Sequence, residues 1–162
     1  MYKRIMITLD GSELAEQALD HAVKLATCFQ ADLYAVRVVI PFGMLVPTTM
    51  EYDLSENYRR NVIQEAHVYL NKIEAKLKPI LGNHFQTQVI EGIVVNSILE
   101  FADSKGIDLI VMATHGRSGL GRWVFGSVAE RIVHAANVPV FLVRAKAITK
   151  KEKKATQEKA AV

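Results

Sequence analysis

Short apolar runs and apolar stripes at three-to-four-residue spacing alternate along the body of the chain, which predicts strands and helices in turn. Arg4–Leu9 (RIMITL) reads as a first buried strand, closed by Asp10 and Gly11. Ser12 is placed to cap a following helix, with Glu13 and Glu16 in its first turn and Ala15, Ala18, Leu19, Ala22, Leu25, Ala26 and Phe29 on one face. His21 falls on the polar face, as a solvated histidine would. Asp32–Val39 is the second strand, followed by a loop rich in Pro, Gly and Met. A long helix spans about Ser55–Lys78 and is ended by Pro79 and Gly82. His84–Glu91, with its polar interruptions, reads as a strand at a sheet edge. A helix over about Asn96–Lys105 closes at Gly106, and Ile107–Ala113 is the most apolar strand, suited to the sheet interior. Ser127–Ala136 is the last helix and Val138–Arg144 the last strand, with Pro139 near its start.

Five strands joined by helical crossovers predict an α/β fold, an open doubly wound parallel sheet with helices on both faces. In such sheets ligands bind beyond the carboxyl ends of the strands, where the strand order reverses. If strands one and four are neighbours, Asp10 and Ala113 end beside each other and their following loops form one crevice.

Composition narrows the class. The chain has 162 residues, one domain's worth, of which 50% are apolar and 23% charged. The apolar run at the N-terminus is too short for a signal peptide and meets Asp10 early, and no run reaches the roughly 18–20 residues of a membrane span. Cys28 is alone, which excludes a disulfide framework and a thiolate metal site, and it reads as an inert thiol. A cytoplasmic protein is expected. The whole-chain charge of +3 is misleading, because residues 146–162 hold six lysines against two glutamates and leave the body, residues 1–145, near −1. The cations sit on a low-complexity tail, expected to be flexible, and not on a face built for nucleic acid.

The candidate chemistry lies in the loop after strand four. Residues 112–133 read MATHGRSGLGRWVFGSVAERIV, with glycines at 116, 119, 121 and 126, arginines at 117 and 122, and a helix opening at Ser127. Glycines let backbone amides approach an anion, a helix N-terminus adds free N–H groups and a positive dipole end, and the arginines add cations. Together these suit a polyphosphate. The dinucleotide fingerprint is excluded by spacing and by position after the fourth strand. A P-loop is excluded because Gly126 and Ser127 are not joined by the lysine that reaches the β- and γ-phosphates. A competing structural reading makes Ser127 and Glu130 a capping box, which leaves the other glycines and the arginines unexplained.

This loop resembles the ATP-binding pattern of universal stress proteins: Gly, two residues, Gly, nine residues, Gly, then Ser or Thr. Gly116, residues 117–125, Gly126 and Ser127 match it, while Ala113 stands at the first glycine. The resemblance extends from strand one with Asp10, through Arg37, Val38 and Gly92, to the closing SVAERIVHAANVPVFLVR. It implies a strand order of 3-2-1-4-5 and a nucleotide-dependent stress-response module that takes ATP with Mg²⁺. It implies an adenine pocket lined by Val38 and the backbone near Thr8, and a ribose flanked by Met112 and Ala113. Asp10 is expected at the ribose or on a phosphate-bound metal. Thr114 and His115 open the phosphate loop, His115 as a hydrogen-bond donor, and Gly116, Arg117, Gly126, Ser127 and Val128 are expected to hold the phosphates. The methyl of Ala113 is expected to tighten the ribose region, and Ile93, Val94 and Val95 to make an apolar rim. Asp10 read alone fits equally a turn into the first helix. Trp123 and Phe125 read as packing residues, and Met44 and Met50 as part of a surface loop. A homodimer through Val138–Arg144 is implied, in keeping with a bare apolar edge strand. The alternatives are a slow ATPase or phosphotransferase using Asp10 and a metal, and a dimeric scaffold whose nucleotide site has decayed at Ala113.

Overall fold

The computed structural model describes residues 1–41, 52–114 and 126–145, with the side chains of residues 52–55 outside that description. The strands are β1 Arg4–Thr8, β2 Asp32–Val39, β3 Phe85–Glu91, β4 Leu109–Ala113 and β5 Val140–Val143. They form one parallel sheet in the order β3-β2-β1-β4-β5. The helices are α1 Glu13–Glu16, α2 Leu19–Phe29, α3 Tyr52–Leu81, α4 Val94–Lys105 and α5 Ser127–Ala135.

Strand alternation sorts the core into two layers. Ile5, Ile7, Leu33, Ala35, Leu109, Val111 and Ala113 face α1, α2 and α3, where Ala18, Ala22, Leu70 and Ile73 meet them. Met6, Val36, Ile110 and Met112 face α4 and α5, against Ile98, Phe101, Ala129 and Ile132. The buried alanines at 18, 22 and 26 let α2 lie close to the sheet. Both sides of the interior strands are covered, which is why β1 and β4 read as continuous apolar runs.

The structure corrects several boundaries. The first predicted helix is two: Gln17 N–H donates to the Leu14 carbonyl at 3.3 Å and Ala18 N–H to the Ala15 carbonyl at 3.1 Å, a three-residue tightening that interrupts the α ladder. The backbone stays right-handed through the break, so Ala15 and Ala22 still bury on the same side. α3 runs past Pro79 to Leu81, and a single 3-10 turn over Gly82–His84 takes His84 out of β3. α4 begins two residues early, at Val94, while β4 is shorter than predicted at its start and β5 at both of its ends. β3 is an edge strand, as its polar positions require.

At the carboxyl end of β3, Arg59 on α3 grips Glu91 through Nε at 2.6 Å and Nη2 at 2.9 Å. Hydrogen bonding from Arg59 holds the Glu91 carboxyl below the usual carboxylate range. Its contribution is therefore present above the unfolded-state pKa and fades as pH falls through the lowered folded value. Both groups are solvent-accessible, so the pair orients the edge more than it stabilises it.

Gly92 follows, with φ +154° and its N–H donating to the Val39 carbonyl at 3.0 Å. A Cβ at this position would overlap Oγ of Ser97, a side chain only 7% exposed. Gly92→Ala is expected to cost on the order of 1–3 kcal/mol in equilibrium unfolding. Adding Ser97→Ala should recover the steric part and leave the backbone strain. A double variant no more stable than Gly92→Ala alone would show that Ser97 is not what the methyl meets.

Candidate functional site

β1 is followed by α1 on one face of the sheet and the next described element after β4 is α5 on the other, although the two strands are adjacent. This is the switch point at which doubly wound sheets open a crevice. A cavity of about 290 Å³ occupies it. That is just under the range of small-molecule sites, about 300 to 1,000 Å³.

The cavity has an apolar floor and a polar rim. Val36 and Val38 from β2, Met112 from β4, Val94 and Ile98 from α4, and Ala129 from α5 make the floor. Thr8 and Asp10 at the end of β1, Thr114 beyond β4, and Gly126, Ser127 and Val128 at the start of α5 line the rest. The alternation that buries Ile7 and Val111 behind the sheet is what turns Thr8 and Met112 toward this side. Thus Thr8, Asp10, Val38, Met112, Ala113, Thr114, Gly126, Ser127 and Val128 meet at one cavity, while His115, Gly116 and Arg117 lie outside the described residues. Val36, Ile98 and Ala129 were not anticipated as lining, since in the sequence they are indistinguishable from ordinary core positions.

Asp10 serves the turn and the cavity together. Its Oδ1 accepts from the Ser12 amide at 2.9 Å and from Ser12 Oγ at 2.6 Å, and Ser12 Oγ in turn accepts from the Ala15 amide at 3.1 Å. The carboxylate is therefore oriented before any ligand arrives, and Ser12 caps α1 as its sequence position predicts.

The start of α5 departs from the capping-box reading. Gly126, not Ser127, is the N-cap, with φ −58° and ψ 144°, and no side chain caps the helix. Glu130 N–H donates to the Gly126 carbonyl at 3.0 Å as the first helical bond, so the amides of Ser127, Val128 and Ala129 open the helix behind a residue with no side-chain oxygen to offer them. The Gly126 amide donates to the Thr114 carbonyl at 2.7 Å, which ties the start of α5 to the carboxyl end of β4.

Ala113 is 8% exposed and belongs to the core on the α1–α3 side, opposite Met112. The methyl that stands for a glycine hydrogen thus has core neighbours, while the residue still forms part of the cavity wall. The apolar rim is present: Ile93 is half exposed, and Ile40, Ile93, Val94 and Val95 with Arg131 line a shallower hollow beside the cavity. Among the described residues no cluster of three His, Cys, Asp or Glu side chains is set to hold a metal, and no helix is long and apolar enough to cross a membrane.

The fold and this cavity define a doubly wound α/β protein with its candidate site at the β1/β4 switch point. The sequence model of the universal stress protein family matches residues 1–144. The chain belongs to the universal stress protein family. Universal stress protein MJ0531 of Methanocaldococcus jannaschii is 40% identical over 146 residues, covering 89% of this chain and 83% of the relative. The solved structure of MJ0577 superposes with a TM-score of 0.79 at 26% identity, covering 91% of this chain and 99% of that one. At 20% identity, where the likeness speaks for the fold, a universal stress protein in complex with cAMP gives a TM-score of 0.65, covering 90% of this chain and 98% of that one. One from Archaeoglobus fulgidus in complex with dAMP gives 0.56 at the same identity, covering 88% of this chain and 98% of that one.

Proposed function

We propose that this protein binds ATP at the switch-point cavity and acts as a nucleotide-dependent regulatory module of the stress response. The observation that carries the reading is the pairing of an apolar floor with a helix N-terminus whose N-cap is glycine. A flat base fits among Val36, Val38, Ile98 and Met112, and phosphates placed toward Ser127 and Val128 would meet first-turn amides and the positive end of α5. The loop glycines and arginines of the sequence, Gly116 and Arg117 among them, would complete the phosphate contacts. Solved members of the family that hold cAMP and dAMP support an adenine nucleotide as the ligand class.

Mg²⁺ fits this arrangement. Asp10 is the one carboxylate among the described residues lining the cavity, and magnesium is commonly held by one or two carboxylates together with substrate phosphates. When bound, the ion would neutralise phosphate charge. Asp10 itself would orient it or the ribose through a carboxylate already fixed by Ser12. The core neighbours of Ala113 support a site that has not decayed.

Equilibrium dialysis of nucleotide-stripped protein against ATP and Mg²⁺ tests the reading. Saturable binding near one ATP per chain is the expected result, and no binding up to millimolar ATP would refute it. The same samples, followed for phosphate release, separate a binding module from a slow ATPase.

The chain is further proposed to pair with itself through β5. That strand is at the sheet edge, and Phe141 on it is 39% exposed. Phe141→Asp with Val140→Lys should convert a dimer to monomers or aggregates by light scattering. An unaltered dimer would place the interface elsewhere.

A further inference from the structure

Arg37 is the most deeply buried cation among the described residues, 5% exposed, in a position where arginine is seldom found. On β2 it alternates with Val36 and Val38, so it faces away from the cavity, toward α2 and α3. A Cβ built on Gly11 would lie 3.2 Å from Nη1, 3.3 Å from Cζ and 3.4 Å from Nη2 of Arg37. Three nearly equal distances mean that the guanidinium presents its flat face, not an edge, to Gly11. The same group lies 5.1 Å from the centroid of the Tyr69 ring on α3. Its ion pair with Glu65 is long, 3.5 Å, and Glu65 is exposed, so packing and not that pair fixes the plane.

Gly11 stands between Asp10 and Ser12, at φ +85°. Whatever sets the height of Gly11 therefore sets the turn in which Asp10 accepts from Ser12 and Ser12 caps Ala15. Burial, and then the charges of Glu16 and Asp10, raise the Tyr69 hydroxyl above its usual range, while Arg37 opposes them.

We infer that Arg37 is a positioning residue for the candidate site: its guanidinium, packed flat against the Gly11 turn and close to the Tyr69 ring, supports from behind the sheet the turn that presents Asp10 to the cavity. The plane, not the charge alone, does this, so lysine cannot replace it. The consequence for ATP rests on the nucleotide reading, whereas the consequence for the turn does not.

The test uses the full chain carrying Arg37→Met or Arg37→Lys, with the core variant Ile7→Ala as a control that lowers global stability through lost core packing and leaves Arg37 in place. Amide exchange by NMR on nucleotide-free protein is expected to quicken at Ser12 and Ala15, whose amides are bonded in the turn, by about tenfold or more relative to Ile110 in both Arg37 variants, but not in Ile7→Ala. ATP affinity with Mg²⁺ is expected to fall by about tenfold in both, against less than about threefold in Ile7→Ala. Exchange at the turn no faster than in Ile7→Ala, or full rescue by lysine, would overturn the inference. If the wild-type protein binds no ATP, the nucleotide reading fails and the exchange comparison alone decides the role of Arg37. Should Arg37→Met fail to fold, Arg37→Lys decides it.

Discussion

Gly126→Asp is expected to abolish ATP binding while leaving the protein as stable as before or slightly more so. Gly126 has ordinary φ and ψ for an L-residue, so a side chain there adds no backbone strain. Aspartate is a better N-cap than glycine by a few tenths of a kcal/mol and adds a favourable charge at the helix dipole. For the helix, the change is an improvement. For a polyphosphate it is the reverse, because the carboxylate takes the first-turn amides of α5 and sets a negative charge where the phosphates would lie. The expected loss is about 100-fold in Kd or more, on the order of 2.7 kcal/mol. Gly126→Ser, which competes for the amides without charge, should fall between. Isothermal titration beside thermal unfolding gives both numbers from one preparation. Unchanged ATP affinity in Gly126→Asp would mean that the helix start is only a helix start, and the phosphate placement would have to be abandoned.

The second large effect is on stability. Ile7 lies on the central strand β1, is fully buried and packs in the layer shared with α1, α2 and α3. Ile7→Ala should cost about 2–5 kcal/mol, from lost transfer free energy and a cavity that flanking strands cannot collapse. Thr8 and Val36 face the other side, so nucleotide affinity at a temperature where the variant is folded should change less than about threefold. Denaturant unfolding measures the first and dialysis the second. A loss below about 1 kcal/mol would show that the layer repacks, and a large loss of affinity would show that the two faces are coupled through β1.

The order of strands and helices was legible because each has its own apolar period. The run RIMITL and the polar breaks in HFQTQVIE mark β1 and the edge strand β3, and the stripe from Ala15 to Ala26 marks the helical segment that the structure divides into α1 and α2. Element ends were less legible. The break at Gln17 and Ala18 and the passage of α3 through Pro79 depend on a few hydrogen bonds whose alternatives differ little in energy, and packing against the sheet decides between them.

For the candidate site, the sequence by itself determined the chemical types: an acidic residue ending β1, a glycine-rich arginine-bearing loop after β4, and a serine at the start of α5. It also left two pairs of readings open, Asp10 as turn or site and Ser127 as cap or ligand. Only the tertiary structure showed that Asp10 is bonded within the turn and lines the cavity as well, and that Gly126 takes the cap position. Nor could local pattern show that Ile98 and Ala129 form a floor, that the Ala113 methyl goes to the core, or that Arg37 lies flat behind Gly11. The physical reason is the same in each case. Periodicity reports which face of an element avoids water, but a cavity, a buried cation and a supporting contact arise where faces of different elements meet, and those meetings are fixed by the register and order of the sheet.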